Sequence, residues 1–188
     1  MGKLEEISAI LAEHPVKLVT QAECAVSDAH ETGLTFVENA LIKARHACNQ
    51  TGLMAIADDS GLEVDALNGA PGIISARYAG EHGDHVANNS KLLEALKQIP
   101  ANQRQARFRC VIVLLRHTHD PTPLICQGTW QGHIADSPAG TQGFGYDPLF
   151  VVATHGCTAA QLPATIKNQI SHRALALQQL TAHLPQFL

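Results

Sequence analysis

Apolar residues recur at spacings of three and four in four stretches of the chain, and this period predicts amphipathic helices. The inward-facing residues of the predicted helices are Leu4, Ile7, Ile10 and Leu11; Val37, Ala40, Leu41, Ala44 and Cys48; Val86, Leu92, Leu93, Leu96 and Ile99; and Ile170, Ala174, Leu177, Leu180 and Leu184. Pro15 and Pro100 should end the first and third helices, because proline lacks the N–H that a continuing helix needs.

Other stretches alternate apolar and polar residues, or are short and wholly apolar, as β-strands are. The clearest alternation puts apolar side chains on one face of a strand and Arg107 and Arg109 on the other. The predicted strands are residues 16–20, 53–57, 106–115, 124–130 and 149–152. The two long strands should form a hairpin, so the expected fold is α/β with a mixed sheet.

The apolar run at residues 53–57 stops on two acids, Asp58 and Asp59, and Gly61 follows, where a backbone can turn sharply. Neighbouring carboxylates are costly to desolvate and repel each other, so they are usually solvated or neutralised by a metal ion. A strand that delivers acids into a turn is a common way to build a site in an open α/β sheet. An ordinary polar junction between strand and loop also explains the pattern, and both interpretations stay open.

Residues 35–38 carry the Thr-x-x-Glu pattern of a capping box, so Glu38 is explained as a helix cap. Glu31 precedes the same helix and has no such local role, which makes it the candidate for a third acid beside the aspartate pair. Three basic residues fall outside the buried stripe of this helix: Lys43, Arg45 and His46.

Residues 140–148 contain three glycines close to Phe144 and Asp147. Such a loop can hold a flat ligand against an aromatic ring while backbone groups approach closely. The dinucleotide-binding spacing G-x-G-x-x-G is absent. A glycine-rich turn with Phe144 in the core is the alternative interpretation.

A basic group lies near the C-terminus, where Lys167 precedes Ser171, His172 and Arg173 at the start of the last predicted helix. Ser171 suits the N-cap position, and the N-terminus of a helix attracts anions. Cations at this end oppose the helix dipole, and an anionic ligand would explain their presence. A solvated basic edge with one buried histidine is the alternative.

The net charge of −4 on 188 residues provides no overall attraction for nucleic acid or anionic lipid, so neither partner is expected. No apolar run reaches the roughly 20 residues of a membrane span and no signal-peptide pattern is present, so we expect a cytoplasmic protein. The five cysteines form no C-x-x-C pair and are expected to be reduced. The closely spaced histidines, at positions 82 and 85 and at 117 and 119, lack a third zinc ligand nearby.

Glu31, Asp58 and Asp59 suit a hard divalent cation such as Mg²⁺, which binds a few carboxylates, water and phosphate oxygens. The basic group suits a polyphosphate or an electron-rich base edge. With Phe144 as a stacking surface, these residues predict a nucleotide site with metal-assisted phosphoryl chemistry. This prediction requires that the acids and the basic helix start converge on one cleft.

The chain resembles the inosine triphosphatase family, the dITP/XTP pyrophosphatases that hydrolyse noncanonical purine nucleoside triphosphates. The resemblance rests on five groups of motifs that run in family order across nearly the whole chain. They are GLTFVENA (33–40), ADDSGL (57–62), GAPG (69–72) with SARY (75–78), GFGYDP (143–148) and ISHR (170–173).

The resemblance implies an elongated, two-lobed α/β fold with a long central mixed sheet flanked by helices, usually a homodimer, with the nucleotide between the lobes. It implies hydrolysis of dITP, ITP and XTP to the monophosphate and pyrophosphate with Mg²⁺. Asp59 would accept a proton from the attacking water and bind the metal together with Glu31. The residues that would contact the substrate are Lys3, Ser60, Phe144, Gly145, Tyr146, Asp147, Lys167, His172 and Arg173, of which the last two would contact the 6-oxo group.

The N-terminus departs from the family pattern, which begins with a strand and a [Ser/Thr]-Gly-Asn-x-x-Lys loop that binds phosphates. Here only Met1, Gly2 and Lys3 align with the end of that loop. Residues 1–188 are therefore interpreted as a single nucleoside triphosphate pyrophosphatase domain that is shortened at its N-terminus. The alternative function is a nucleotide-binding protein with little or no turnover, because a truncated phosphate loop would misalign the substrate.

Overall fold

The computed structural model of the protein describes residues 7–8 and 16–187. Its elements are helices α1 (Phe36–Thr51), α2 (His85–Ala95), α3 (Ala164–Ile170) and α4 (His172–Phe187), and strands β1 (Ala55–Val64), β2 (Gln105–Leu115), β3 (Leu124–Ile134), β4 (Phe150–Val152) and β5 (Cys157–Thr158). Most of the first predicted helix lies outside these residues. Within them, no helix is long and apolar enough to cross a membrane.

The five strands form one sheet in the order β1-β2-β3-β4-β5. Strand β3 pairs antiparallel with β4, with Gly132 opposite Val152 and Ile134 opposite Phe150, and β4 pairs antiparallel with β5. The predicted α/β fold, with a sheet flanked by helices, is confirmed.

The described chain forms two compact units. The first unit contains the described residues up to Asp59, Cys110–Gly128 and the residues from Arg173 onward, and the second contains Ser60–Arg109 and Thr129–His172. Strands β1, β2 and β3 are therefore each divided between the two units, with about half of each strand in one unit and half in the other. Each unit buries its own apolar residues.

Strand β2 shows how the sequence builds the first unit. Its even-numbered residues 110–114 pack with α4, and its odd-numbered residues 111–115 lie on the other face and pack with α1. Because both faces are covered, this half of the strand is apolar throughout. In the other half of β2, Arg107 and Arg109 alternate with the buried residues, as predicted.

The core of the second unit gathers around three aromatic rings. The ring centroid of Phe150 lies 4.6 Å from that of Phe108 and 5.3 Å from that of Trp130. Leu92 of α2 and Leu96, which directly follows this helix, are fully buried against this group. Aromatic pairs at such distances stabilise a core beyond the area that they bury.

Two strand predictions are wrong in part. Residues 16–20 do not form a strand, although Val16 and Leu18 still pack on a core of the first unit. Strand β1 does not stop at Asp58 and Asp59 but continues to Val64, and Gly61 has no positive φ. The strand continues because both carboxylates are neutralised by cations, as described below.

The predicted Thr35 cap is confirmed with one change of partner, and the structure shows a second cap at Asp84. Thr35 caps α1, and its hydroxyl accepts a hydrogen bond from the N–H of Glu38 at 3.3 Å. The carboxylate of Glu38 accepts from the N–H of Leu34 at 2.8 Å rather than from Thr35 N–H. Asp84 caps α2 by accepting from the N–H of Ala87 at 2.9 Å. These bonds satisfy donors that the helices leave unpaired.

The loop between β2 and β3 is held by a buried carboxylate, that of Asp120. Its Oδ1 accepts from Arg116 at 2.7 Å and from the N–H of Thr122 at 3.0 Å. The Arg116 guanidinium also lies 4.9 Å from the ring centroid of Phe187 at the end of α4. The hydrogen bond from Arg116, aided by Thr122, outweighs desolvation and holds the pKa of Asp120 well below its ordinary value.

We predict that Asp120→Asn lowers the free energy of unfolding at neutral pH and that this difference shrinks in acid. A carboxyl whose folded-state pKa is lowered stabilises the protein above its unfolded pKa, and that stability is lost as the pH falls toward the folded pKa. Urea unfolding between about pH 7 and pH 3 measures the difference. Glu81→Gln, which changes an exposed acid, is the control. A deficit of Asp120→Asn that is independent of pH would contradict the prediction.

Candidate active site

Strand β1 places its two acids on opposite faces, because neighbouring residues of a strand point in opposite directions. Asp59 shares a face with Ala55 and Ala57, which pack in the core that contains α1. Asp58 shares the other face with Ile56, which packs in the core that contains α4. The two acids therefore meet different helices.

On the α1 side, Asp59, Lys43 and Glu31 form a group that we call the acid–lysine cluster. The Nζ of Lys43 lies 2.7 Å from Oδ1 of Asp59 and 3.0 Å from Oε1 of Glu31. All three side chains are largely shielded from solvent. The structure thus brings the predicted acids Glu31 and Asp59 together around one ammonium group.

The second oxygen of Asp59, Oδ2, is buried and has no hydrogen-bond partner in the part of the chain that the structure describes. A buried carboxylate oxygen without a donor or a cation is costly. The cluster therefore retains an unsatisfied acceptor beside its lysine, and a ligand of positive charge could use it.

The cluster changes the acidity of its members. Burial raises the pKa of Asp59, Lys43 lowers it, and the nearby acids Glu31 and Asp58 raise it further, with a net result above the ordinary value. Burial lowers the pKa of Lys43, but Asp59 and Glu31 outweigh this effect, so the ammonium is held more firmly charged. A carboxylate with a raised pKa is a better proton acceptor than an ordinary one.

The sequence pattern placed Lys43 outside the buried stripe of α1 and assigned it no part in a site, whereas the structure brings its ammonium between Asp59 and Glu31. Lys43 lies between Ala40 and Ala44, which are fully buried, so it flanks the face of α1 that packs on the sheet. A lysine one position from such a stripe can reach a strand beneath it. That position is the signal that could have identified it.

On the α4 side, Asp58 pairs with Arg173. The guanidinium Nη2 lies 3.7 Å from Oδ2 of Asp58, and both side chains are less than 10% exposed. Arg173 is the second residue of α4, where a cation opposes the helix dipole. The basic residues at this helix start predicted an anionic ligand, and the carboxylate of Asp58 supplies a negative charge there. Asp58 therefore pairs with a different cation from Asp59, while its charge still raises the pKa of Asp59.

In the second unit, residues 143–147 form a segment that we call the aromatic loop. The N–H of Phe144 donates to Oδ2 of Asp147 at 2.8 Å, and Lys167 of α3 forms an ion pair with the same oxygen. The Nζ of Lys167 lies 5.5 Å from the centroid of the Phe144 ring. Gly143 has φ +76°, and a Cβ there would collide with Asp147 and lie 2.8 Å from Nζ of Lys167. Only glycine fits this position.

The side chain of Phe144 is 50% exposed, so the alternative that it is a core residue is wrong. The neighbouring Tyr146 is buried instead, and its hydroxyl donates to the carbonyl of Ser75 at 2.9 Å. Burial raises the pKa of Tyr146, which keeps the hydroxyl protonated. The loop thus anchors one aromatic ring in the core and presents the other to solvent.

His172 begins α4 and belongs to the second unit. Its ring stacks on Phe108, with centroids 4.8 Å apart and planes 16° apart, and lies 6.3 Å from Trp130. The side chain is buried, as one of the two interpretations of the basic segment expected. Lys167 does not lie at this helix start but on the preceding helix, α3, which the sequence pattern did not predict.

Of the remaining predicted site residues, Ser60 follows Asp59 in β1, and Gly145 lies in the aromatic loop. Lys3 lies outside the described residues. Among residues 7–8 and 16–187, no group of three or more His, Cys, Asp or Glu side chains is arranged to hold a metal ion. The contacts reported above each lie within one unit.

The chain is thus an α/β protein with two candidate functional groups. One is the partly buried acid–lysine cluster, and the other is the aromatic loop with its exposed ring. The Ham1 family model matches residues 1–183. The chain belongs to the Ham1 family, which confirms the family resemblance drawn from its motifs.

Similar proteins cover almost the whole chain. A dITP/XTP pyrophosphatase of Xanthomonas campestris pv. campestris is 62% identical over 179 residues, which cover 95% of this chain and 90% of the relative. One of Escherichia coli O157:H7 is 58% identical and covers 95% and 91%. The solved structure of a HAM1 protein from Coxiella burnetii matches with a TM-score of 0.94 at 52% identity, covering 98% of this chain and 93% of that chain.

We predict that Asp59 titrates above the ordinary aspartate pKa of 3.8 and that Lys43→Met raises its pKa further. The variant removes the cation that opposes the effect of burial and of the neighbouring acids. Carboxyl ¹³C NMR of the metal-free protein measures the titration. Arg45→Met, an exposed change on the same helix, should leave it unchanged. A lower pKa for Asp59 in Lys43→Met would contradict the electrostatics of the cluster.

Proposed function

We propose that this protein hydrolyses noncanonical purine nucleoside triphosphates, namely dITP, ITP and XTP, to the monophosphate and pyrophosphate. The acid–lysine cluster carries the proposal, because it combines a carboxylate of raised pKa with a fixed cation. Membership of the Ham1 family and the dITP/XTP pyrophosphatase names of the relatives support it. The reaction would remove such nucleotides from the nucleotide pool.

Mg²⁺ is the proposed cofactor, and the residues present fit it. Mg²⁺ is usually bound through one or two carboxylates together with water and substrate phosphates, so a dedicated cage of three protein ligands is not required. Glu31 and Asp59 supply two carboxylates, and the buried Oδ2 of Asp59 has no hydrogen-bond partner among the described residues. The metal would supply charge neutralisation at the phosphates.

In the proposed reaction, Asp59 accepts a proton from the attacking water. The water oxygen forms a bond to the α-phosphorus, the bond from that phosphorus to the bridging oxygen breaks, and pyrophosphate leaves with the electron pair. The raised pKa of Asp59 favours this proton transfer. Lys43 holds the Asp59 carboxylate in place and adds positive charge beside the phosphates.

Phe144 is proposed to stack on the purine, because its ring is exposed and the loop around it is fixed. The residues proposed to contact the substrate are Lys3, Ser60, Phe144, Gly145, Tyr146, Asp147, Lys167, His172 and Arg173. Cationic donors suit a 6-oxo group as acceptor, whereas the 6-amino group of adenine would leave them unpaired. Selection against ATP would follow from this mismatch. Because the Tyr146 hydroxyl is bonded to Ser75, Tyr146 would contact the base through its backbone.

A homodimer is also proposed, on the family resemblance, and the cytoplasm is its proposed location. Light scattering across a range of protein concentrations measures the oligomeric state. A mass of one chain at all concentrations would exclude the dimer.

We predict release of pyrophosphate from ITP, dITP and XTP at rates that exceed those for ATP by about 10²-fold or more. A chelator should abolish the activity and added Mg²⁺ should restore it. The measurement is a panel of ITP, dITP, XTP, GTP and ATP with separate detection of pyrophosphate and orthophosphate. Binding of ITP without release of pyrophosphate would instead support the alternative of a nucleotide-binding protein. Release of orthophosphate as the first product would contradict the proposed bond cleavage.

A further inference from the structure

Two residues of α2 contact the aromatic loop, and neither matches a motif of the resemblance. His85 and Asn89 are four residues apart, so they lie on the same face of the helix. Asn89 contacts the backbone of the loop, and His85 lies beside its exposed ring. All of these residues belong to the second unit.

Asn89 holds the loop at Gly145. Its Nδ2 donates to the carbonyl of Gly145 at 2.9 Å. The glycines on both sides of Phe144 have positive φ values, +76° at Gly143 and +63° at Gly145, so this backbone has many alternatives in the absence of such bonds. With the bond from Phe144 N–H to Asp147, the loop is fixed on each side of its aromatic residue.

The oxygen of the Asn89 amide, Oδ1, does not help to hold the loop. It is buried and has no hydrogen-bond partner within the described part of the chain. An unsatisfied buried acceptor costs stability, and an apolar side chain of similar size would avoid that cost. Asparagine at this position therefore carries a stability cost that an apolar residue would not.

His85 lies beside the Phe144 ring itself. The two ring centroids lie 6.2 Å apart with planes tilted by 41°, within the range of favourable aromatic pairs. Lys167 lies 5.5 Å from the Phe144 centroid. The half-exposed ring is therefore bordered by an imidazole from α2 and an ammonium from α3.

We infer that His85 and Asn89 are positioning residues that fix Phe144 in the orientation that stacks on the purine. This inference rests on the proposed role of Phe144. A ring that is ordered before binding loses less conformational freedom when the base arrives. Without either residue, binding of the base has to order the loop or the ring and is weakened.

The test uses inosine 5′-monophosphate, which carries the base but no phosphoanhydride bond, so binding is measured without turnover. Asn89→Leu removes the donor and the buried orphan acceptor at similar size, and His85→Ala removes the imidazole. We expect each to weaken binding by about 3- to 10-fold, measured by calorimetry. Ser90→Ala is the matched control, because its exposed hydroxyl donates only to the Val86 carbonyl of the same helix and should leave the affinity unchanged.

A positioning role is separated from a structural one by two further measurements. Asn89→Leu should not lower the melting temperature, and in steady state it should raise the KM for ITP while kcat stays within about twofold. In a Phe144→Ala background it should no longer change the affinity for inosine 5′-monophosphate, because its effect passes through the ring.

Unchanged affinity in both Asn89→Leu and His85→Ala, or an equal loss in the presence and absence of Phe144, would overturn the inference. Either result would leave the proposed hydrolysis intact. Absence of pyrophosphate release by the unmodified protein, with the expected binding pattern in the variants, would instead reject the proposed activity and retain the positioning role.

Discussion

Two carboxylates that are neighbours in a buried strand can both stay charged only if each meets a separate cation. In β1 the alternation of side chains achieves this, since Asp59 turns toward Lys43 on α1 and Asp58 toward Arg173 on α4. Burying either charge without its partner would cost several kcal/mol in general. The continuation of β1 through its acids depends on these two pairs, and so does the position of every group in the acid–lysine cluster.

The two charge pairs also connect the hydrophobic core of the first unit to the proposed catalytic groups. The helices that cover the two faces of the sheet supply the apolar residues and also the two cations. Lys43 flanks the buried stripe of α1, and Arg173 lies in the first turn of α4. The packing that fixes these helices therefore fixes the two cations. A proton acceptor held in this way is preorganised before a substrate binds.

Local patterns in the sequence predicted the structural features that depend only on residues close together in the chain. The Thr35 cap and the alternating faces of β2 are local in this sense, and Glu31 was singled out because it has no local role. For Phe144 the local pattern left an exposed and a buried position open. The sequence could not show that β1 continues past its acids, because the cations come from helices elsewhere in the chain. For the same reason the pairing of Lys43 with Asp59 and of Arg173 with Asp58 could not be predicted. Asn89 contacts Gly145 across a long stretch of chain, which no period in the sequence signals.

In the proposed reaction the two adjacent acids have different tasks. A comparison of the variants Asp58→Asn and Asp59→Asn separates these tasks. Both variants are assayed for pyrophosphate release from ITP and ATP, with rates normalised to folded protein. The account predicts that Asp59→Asn lowers kcat for ITP by about 10²- to 10⁴-fold and still binds the nucleotide. Asp58→Asn should retain far more of kcat but weaken discrimination between ITP and ATP, because it removes the negative charge beside the Arg173 guanidinium. Equal losses of kcat in both variants, with discrimination unchanged in Asp58→Asn, would contradict the account.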